Sequence, residues 1–398
     1  MTKAYFHVLD NINLENNMKR KTFTVLLILL GLIFLVALAV LAFYHQQGSA
    51  NLAFTDVSPV HAMRVDYLEV DSSRAEVAVM ETRMQQAGVN LVAISAGRAD
   101  WAYFRWNGHS DRWADIVQTS GQDILLEDSK RFGKWAHVSA VVDVLSPRYI
   151  QQHPEAASVS WQGVPATDMV STMELVDGQF GQQVLDMIGQ IAAYYPVNSI
   201  TITELVYYVD GYGTQDKTAY LAYTGRSDWP RLANGQIDID APSIGEWRSY
   251  EIGRFLEKAA AIAHQHGKQL FVEVRIGVDS SGHVFVRNGT DINLFLKYAD
   301  RLVVRGSNDP ASRSQSSMNA IAKYMTTYRK NGLILTLGLW DKDYDSGTPG
   351  NQMSSISVAD FQAILQGDAT NLWITPSFLM SDAHWQILDK IWGNQPKK

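Results

Sequence analysis

Four acidic residues stand where they could take part in acid/base chemistry: Asp143, Glu204, Glu273 and Asp341. Each lies in, or directly after, a short apolar run rich in β-branched residues, the pattern of a buried strand. Two carboxyl groups that flank a glycosidic bond can cleave it, because one protonates the leaving oxygen while the other attacks the sugar carbon or activates water. One group must keep its proton near neutral pH and the other must be ionised. We predict Glu204 as the general acid, with Glu273, Asp143 or Asp341 as the second carboxylate.

These carboxylates need a scaffold, and the chain offers eight apolar runs that are separated by segments of helical period. We predict strands at 63–70, 89–95, 137–146, 199–208, 268–277, 301–307, 333–340 and 371–380. We predict intervening helices at 74–87, 179–194, 245–266, 318–330, 358–365 and 382–392. Eight such units pair in parallel and close into a (β/α)8 TIM barrel, an α/β fold. An open doubly wound sheet is the alternative, although its G-x-G-x-x-G fingerprint is missing.

Strand parity indicates which charges point into such a barrel, because successive side chains alternate between its two faces. In the fifth strand the aliphatic residues share one face, which leaves Glu273 and Arg275 pointing inward. The same parity turns further polar side chains inward on the third and fourth strands: His137, Ser139, Asp143, Thr201 and Thr203. Glu204 has the wrong parity, so a bulge or the strand end must re-aim it. The structural alternatives are an ion pair between Glu273 and Arg275, and a basic partner for Asp143.

Aromatic residues are concentrated in the long segments that follow several predicted strands, where a barrel carries its functional loops. Flat rings stack on the apolar C–H faces of sugars, whose hydroxyl groups need polar partners. We predict a sugar-binding set of side chains: Trp101, Trp106, Tyr207, Tyr208, Trp229, Arg248, Arg275 and Trp340. The alternative is that the rings, and Arg248 with them, merely hold the loops together.

Composition excludes several other classes of protein. The chain has 398 residues and no cysteine, which removes disulfides, thiolate zinc sites, iron–sulfur clusters and thiol nucleophiles. Its net charge of −7 argues against a nucleic-acid partner, since phosphate binding relies on Lys and Arg. The histidines form no H-E-x-x-H pair and the sequence has no G-x-S-x-G elbow, so we expect neither a metal or other cofactor nor a catalytic serine.

An uncharged segment from 22 to 44 follows Lys19, Arg20 and Lys21, which is typical of a membrane span with a cytoplasmic N-terminus. We therefore predict a cytoplasmic segment at 1–21, a transmembrane helix that contacts the lipid bilayer at 22–44, a linker at 45–60 and the barrel at 61–394. The expected location is a bacterial inner membrane, crossed once, with the barrel in the periplasm. A cleaved signal peptide and a secreted product form the alternative.

The sequence also resembles a known group. SITITELVYYVDGYG, SDWPR and GEWRSYEIGRFLEKAAAIAHQHGKQLFVEV are similar to segments of hypothetical glycoside-hydrolase-like TIM-barrel families of bacteria, most specifically over 197–277. More distantly, the chain resembles the hydrolase-like domain of poly-N-acetylglucosamine deacetylases. The resemblance implies an exported barrel that acts on polysaccharide, and it supports Glu204 as an acid/base residue. Thr203-Glu204 replaces the Asn-Glu common in barrel glycosidases, and Trp340-Asp341 replaces their usual glutamate on the seventh strand.

Two main hypotheses follow. The first is a membrane-anchored periplasmic protein that binds and hydrolyses a polysaccharide or oligosaccharide by carboxylate catalysis. The second is a non-catalytic carbohydrate-binding or scaffold component of a polysaccharide synthase or export complex. A barrel lyase or deacetylase with a bound metal is a third option.

Overall fold

The computed structural model describes residues 59–67, 74–279, 281–286, 289–306, 314–329, 331–339 and 356–393. The predicted membrane segment at 22–44 and its flanks lie outside these residues. Within the described part of the chain, no helix combines the length and apolar character needed to cross a membrane.

Eight parallel strands form a closed barrel, as predicted. They are β1 (His61–Val65), β2 (Leu91–Arg98), β3 (His137–Asp143), β4 (Ser199–Thr203), β5 (Gln269–Val278), β6 (Arg301–Gly306), β7 (Leu333–Gly338) and β8 (Leu372–Thr375). Each strand pairs with its neighbour in the sequence order, and β1 pairs with both β2 and β8. This last pairing closes the ring, so the open-sheet alternative is wrong.

Helices surround the barrel. They are α1 (Arg74–Gln86), α2 (Asp115–Ser120), α3 (Ile124–Phe132), α4 (Pro147–Gln152), α5 (Thr172–Val176), α6 (Gln179–Tyr194), α7 (Thr214–Thr224), α8 (Pro242–Gln265), α9 (Ile292–Tyr298), α10 (Gln315–Met325), α11 (Val358–Leu365) and α12 (Asp382–Leu388). Except for α7, whose Tyr220 belongs to a separate buried cluster, these helices pack their apolar faces on the outer surface of the strands in one large buried cluster. Short antiparallel strands lie at the mouth: Trp101–Ala102 pairs with β2, and Val284–Val286 pairs with β5. Ala157–Val159 and Pro165–Val170 form a separate hairpin.

Several predicted strands extend past the observed ends, and for two of them the backbone gives the reason. The strand predicted at 199–208 ends at Thr203, because Glu204 adopts a φ of 67°, outside the extended region. The strand predicted at 371–380 ends at Thr375, because Pro376 has no N–H to donate to a ladder.

The interior of the barrel changes character along its length. Its lower part is an apolar core to which all strands except β4 contribute, together with a residue just before β1: Val60, Ala62, Leu91, Ala93, Val141, Phe271, Val303, Ile334 and Trp373. Toward the carboxyl ends of the strands, the inward positions become polar or charged, as at Arg64, Glu273 and Arg305. Because alternate residues share a face, each of these charges continues the row of an apolar neighbour two residues earlier.

A bulge in β2 re-aims one more charge. The pairing of β2 with β3 shifts between Ser95 and Gly97, so that Arg98 lies beside Asp143 instead of facing the helices. Gly97 has a φ of 129°, a conformation that is essentially restricted to glycine. A Cβ at this position would collide with the carbonyl of Trp101 and lie 2.8 Å from Cα of Ala102. The bulge therefore requires glycine for two independent reasons.

We predict that Gly97→Ala lowers the free energy of unfolding by about 3 kcal/mol, because backbone strain and the clash with the Trp101–Ala102 strand add together. Gly108→Ala is the matched control: Gly108 also has a positive φ, of 79°, but nothing lies within 4 Å of its added Cβ. We expect about 1 kcal/mol for that variant. Urea denaturation measures both values, and equal losses would contradict the packing argument.

Candidate active site at the barrel mouth

Glu204 is held between two arginines inside the mouth. Its Oε2 lies 2.6 Å from Nη2 of Arg275, and its Oε1 lies 3.1 Å from Nη1 of Arg305. Thr203 points inward, so a regular strand would turn Glu204 outward. The left-handed φ of 67° at Glu204, directly after the end of β4, brings its carboxylate back toward β5 and β6. The expectation that the strand end re-aims this residue is confirmed.

Glu273 shares these arginines. Its Oε1 lies 3.6 Å from Nη1 of Arg305 and 3.7 Å from Nε of Arg275. Glu273 and Arg275 both point inward, as parity predicted, and all of these side chains are largely buried. The two acids and two bases form a compact network in which Arg305 Nη1 contacts both carboxylates.

The surrounding charges keep Glu204 ionised. Burial raises the pKa of Glu204, but the positive charges of Arg275, Arg305 and Arg64 outweigh burial and bring the pKa below its usual value. A carboxyl group with a lowered pKa is a poor proton donor near neutral pH. Glu204 is therefore suited to the role of nucleophile or base.

Asp143, at the end of β3, has the opposite property. Burial raises its pKa to about 7, and the negative charge of Glu204 contributes in the same direction. The backbone N–H of Leu145, which donates to Oδ1 at 2.8 Å, and the charges of Arg64 and Arg98 lower the pKa by less. Asp143 thus keeps its proton to a much higher pH than an ordinary aspartate does.

Arg64 on β1 lies at the mouth and contacts Ser95 and Asp66. Its guanidinium donates to Oγ of Ser95 at 3.2 Å and lies 3.4 Å from Oδ1 of Asp66. The hydroxyl of Ser95 in turn donates to the same Asp66 oxygen at 3.1 Å. These contacts fix Arg64 near Asp143 and Glu204, whose pKa values it affects.

An aromatic wall lies next to Asp143. The ring of Tyr67 lies 5.1 Å from Trp101 and 5.8 Å from Tyr103 between centroids, and the guanidinium of Arg98 lies 5.5 Å from the centre of the Trp101 ring. Burial and the neighbouring Asp143 raise the pKa of Tyr67 well above its usual value. Its buried hydroxyl has no hydrogen-bond partner among the described residues. Tyr67 and Trp101 are thus placed to contact a molecule bound at Asp143.

Four of the predicted sugar-binding residues are buried and need correction. Trp106 has no exposed surface, and its indole N–H donates to Asp186 at 2.8 Å. Trp229 packs among Tyr212, Tyr220 and Trp247 under the loop that follows β4. Tyr207 and Arg248 are buried as well.

Arg248 holds the loop after β4 in place. Its Nη2 donates to the carbonyl of Asp210 at 2.8 Å, and its guanidinium lies 5.0 Å from the centre of the Tyr212 ring. In this structure Arg248 and the three buried rings pack or tie loops and cannot present a face to a sugar.

The remaining predicted residues divide into two groups. Tyr208 is partly exposed on the same loop and donates to Oδ1 of Asp240 at 3.1 Å, while Trp101 is partly exposed at the aromatic wall. Trp340 and Asp341 lie outside the described residues. Within those residues, no group of three His, Cys, Asp or Glu side chains is placed to hold a metal ion.

Sequence reasoning missed Arg64, Tyr67, Arg98 and Arg305. Two of them could have been predicted from strand parity. Arg64 comes two residues after the inward-facing Ala62, and Arg305 comes two residues after the inward-facing Val303. Arg98 depends on the bulge, and Tyr67 lies beyond the end of β1.

Comparison with solved structures agrees with this architecture. The chain is similar to the catalytic domain of β-amylase from Paenibacillus polymyxa, with a TM-score of 0.57 and 9% identity over 86% of this chain and 100% of that one. It is similar to the PgaB (BpsB) glycoside hydrolase domain from Bordetella bronchiseptica, with a TM-score of 0.56 and 13% identity over 84% and 99%. A β-galactosidase from Marinomonas ef1 gives 0.53 and 11% over 83% and 58%.

The chain has the barrel fold of glycoside hydrolases. The resemblance found in the sequence is thereby confirmed at the level of the fold. No protein-family model and no curated protein sequence matches the chain. At these identities the likeness concerns architecture, so the chemistry has to be argued from the mouth itself.

We predict that Glu204→Gln lowers the pKa of Asp143. The substitution removes a negative charge that raises this pKa, and it removes the ion pairs of Arg275 and Arg305 with Glu204. The pH dependence of the Asp143 carboxyl ¹³C chemical shift measures the change. Glu155→Gln, at an exposed position, is the control and should leave the titration in place. Identical midpoints in wild type and Glu204→Gln would exclude the coupling.

We also predict that Asp143→Asn stabilises the fold at alkaline pH. The folded pKa of about 7 exceeds the usual 3.8, so the contribution of Asp143 to the free energy of unfolding is fully present below about pH 4 and is lost as pH rises through 7. Asparagine avoids this loss and can still accept from the N–H of Leu145.

Urea denaturation at pH 8 and pH 5 provides the measurement. The advantage of Asp143→Asn should be larger at pH 8, whereas Asp111→Asn, at an exposed site, should show no such trend. A pH-independent difference for Asp143→Asn would count against the raised pKa.

Proposed function

We propose that this barrel hydrolyses glycosidic bonds of a polysaccharide or oligosaccharide, with Asp143 as the proton donor and Glu204 as the ionised carboxylate. One observation carries the proposal: two interacting carboxyl groups at the barrel mouth have pKa values shifted in opposite directions. Such a pair supplies the acid and the base or nucleophile that glycoside cleavage requires. The carboxyl ends of barrel strands are also where enzymes of this fold carry their chemistry.

The roles of the two residues follow from their surroundings. Asp143 transfers its proton to the glycosidic oxygen as the bond to the anomeric carbon breaks. Glu204 either attacks that carbon or removes a proton from the water that does so, and Arg275 and Arg305 orient it. This proposal reverses the sequence-based assignment of Glu204 as general acid and takes Asp143 from the set of second carboxylates. The anomeric form of the first product distinguishes attack by Glu204 from attack by water.

The aromatic wall supports a sugar as the substrate. Trp101 and Tyr67 can contact the C–H face of a ring bound beside Asp143. The Tyr67 hydroxyl, which has no partner among the described residues, can hydrogen-bond to it. The solved structures of similar fold include proteins named β-amylase, β-galactosidase and PgaB glycoside hydrolase domain, which supports a saccharide substrate for this chain as well.

The proposed setting is the periplasmic side of a bacterial inner membrane. The uncharged segment at 22–44, preceded by three basic residues, supports a single anchor with the barrel exported. An exported barrel would meet polysaccharides at the cell envelope. A non-catalytic binding role in a polysaccharide synthase or export complex is the competing proposal.

We predict that Asp143→Asn and Glu204→Gln each lower the release of new reducing ends from polysaccharide by about 10²–10⁴-fold, the usual range for losing an acid/base group. The two variants should differ on aryl glycosides whose phenol leaves without protonation. Asp143→Asn should recover much of its activity on such substrates, because they do not need the acid. Glu204→Gln should stay inactive on them.

Wild-type full-length protein is first assayed on a panel of bacterial exopolysaccharides to find the substrate. Glu155→Gln is the exposed-carboxylate control and should match wild type. The wild-type rate should also fall as pH rises through about 7, as Asp143 loses its proton. If both variants cleave the substrate as fast as wild type does, the assignment is refuted. If wild type binds polysaccharide without cleaving it, the non-catalytic role is favoured.

A further inference from the structure

A groove of about 560 Å³ lies on the outer wall of the barrel. It is lined by the end of α7, the first turns of α8, the start of α9 and the end of α10. Helix α9 has only 7 residues, whereas α8 has 24, so the wall between α8 and α10 is incompletely covered. The volume is within the range of small-molecule sites. Its lining contains none of the described residues of the charged network or of the aromatic wall at the mouth.

Two exposed tyrosines stand on one side of this groove. Tyr223 on α7 is 45% exposed and Tyr250 on α8 is 46% exposed. Their rings lie 5.1 Å apart between centroids with an angle of 31° between their planes. Single exposed apolar residues are ordinary, but a pair of rings from separate helices beside one concave surface is a feature of binding sites.

A second pair of rings lines the groove from the end of α10 and the turn that follows it. The rings of Tyr324 and Tyr328 lie 5.3 Å apart between centroids, and their hydroxyl oxygens lie 2.5 Å apart. The groove therefore offers flat apolar faces that also carry hydroxyl groups. Such amphipathic rings suit a ligand with both C–H faces and hydroxyl groups.

The rest of the lining combines polar side chains with apolar ones, which are Pro242, Val286, Ile292 and Leu294. Ser249, Thr290 and Asn293 provide hydroxyl and amide groups, and Glu246 and Asp291 provide carboxylates. A protein partner would need a predominantly apolar centre at its contact surface, which this mixture does not supply. Nucleic acid would need lysine or arginine, whereas the charged residues in the described lining are both acidic. A sugar chain satisfies both the rings and the hydrogen-bonding groups.

We propose that this outer-wall groove is a second saccharide-binding site that holds an uncharged segment of polysaccharide with residues other than those of the candidate active site. Tyr223 and Tyr250 stack on sugar rings, and the polar side chains of the opposite wall bind their hydroxyl groups. The site does not depend on whether the mouth is catalytic, since its lining includes none of the described residues of the candidate active site.

Affinity electrophoresis of the full-length protein in detergent tests the site, with soluble starch, hydroxyethylcellulose and glycol chitin as three uncharged probes. Wild type should be retarded by at least one of them. The double variant Tyr223→Ala/Tyr250→Ala should bind that probe about tenfold more weakly, because two ring contacts are lost. Tyr194→Ala is the matched control: Tyr194 is 67% exposed on α6, does not line the groove, and should behave as wild type.

A further pair of variants separates ring stacking from misfolding. Tyr250→Phe keeps the ring and should retain most of the binding, whereas Tyr250→Ala should not. No retardation of wild type by any of the three probes would overturn the proposal, as would equal retardation of wild type and the double variant. Equal losses in the double variant and in Tyr194→Ala would also overturn it, since binding would then not be localised to the groove.

Discussion

A carboxylate inside a barrel is tolerated only where positive charge lies against it, and the mouth of this protein is arranged around that constraint. Arg275 and Arg305 satisfy Glu204 and also contact Glu273, so most of the positive charge on that side is already engaged. Asp143 is buried within the field of Glu204, and among the described residues it has no ion pair as short as those of Glu204. A proton is then the least costly way to neutralise it, and the difference between the two acids follows.

Much of this arrangement was predictable because it depends on alternation. The eight strands and the inward direction of Asp143, Glu273 and Arg275 follow from the period of two in a pleated strand. The need to re-aim Glu204 was also visible, since its parity conflicts with that of Thr203. The left-handed backbone conformation of Glu204 could not be predicted, because non-glycine residues rarely adopt that conformation.

The loops were less predictable for a physical reason. The sequence does not show whether a tryptophan in a loop is exposed to solvent or buried by other elements. Trp229 is buried by Tyr220 and Trp247, which lie on two separate helices. Trp106 is likewise buried by residues far along the chain, including Asp186. The prediction therefore overestimated the aromatic lining of the mouth. Of the predicted rings that the structure describes, Trp101 lies at the aromatic wall, together with the unpredicted Tyr67.

The extra residue in β2 has a consequence for comparing relatives of this protein. Arg98 reaches the interior because β2 contains one more residue than the paired part of β3. The direction of the Arg98 side chain therefore depends on the number of residues that precede it in the strand. A relative that lacks the extra residue could have an arginine aligned with Arg98, and that side chain would still point toward the helices. In an alignment, the gap next to Ala96 would then be more informative than the identity at position 98.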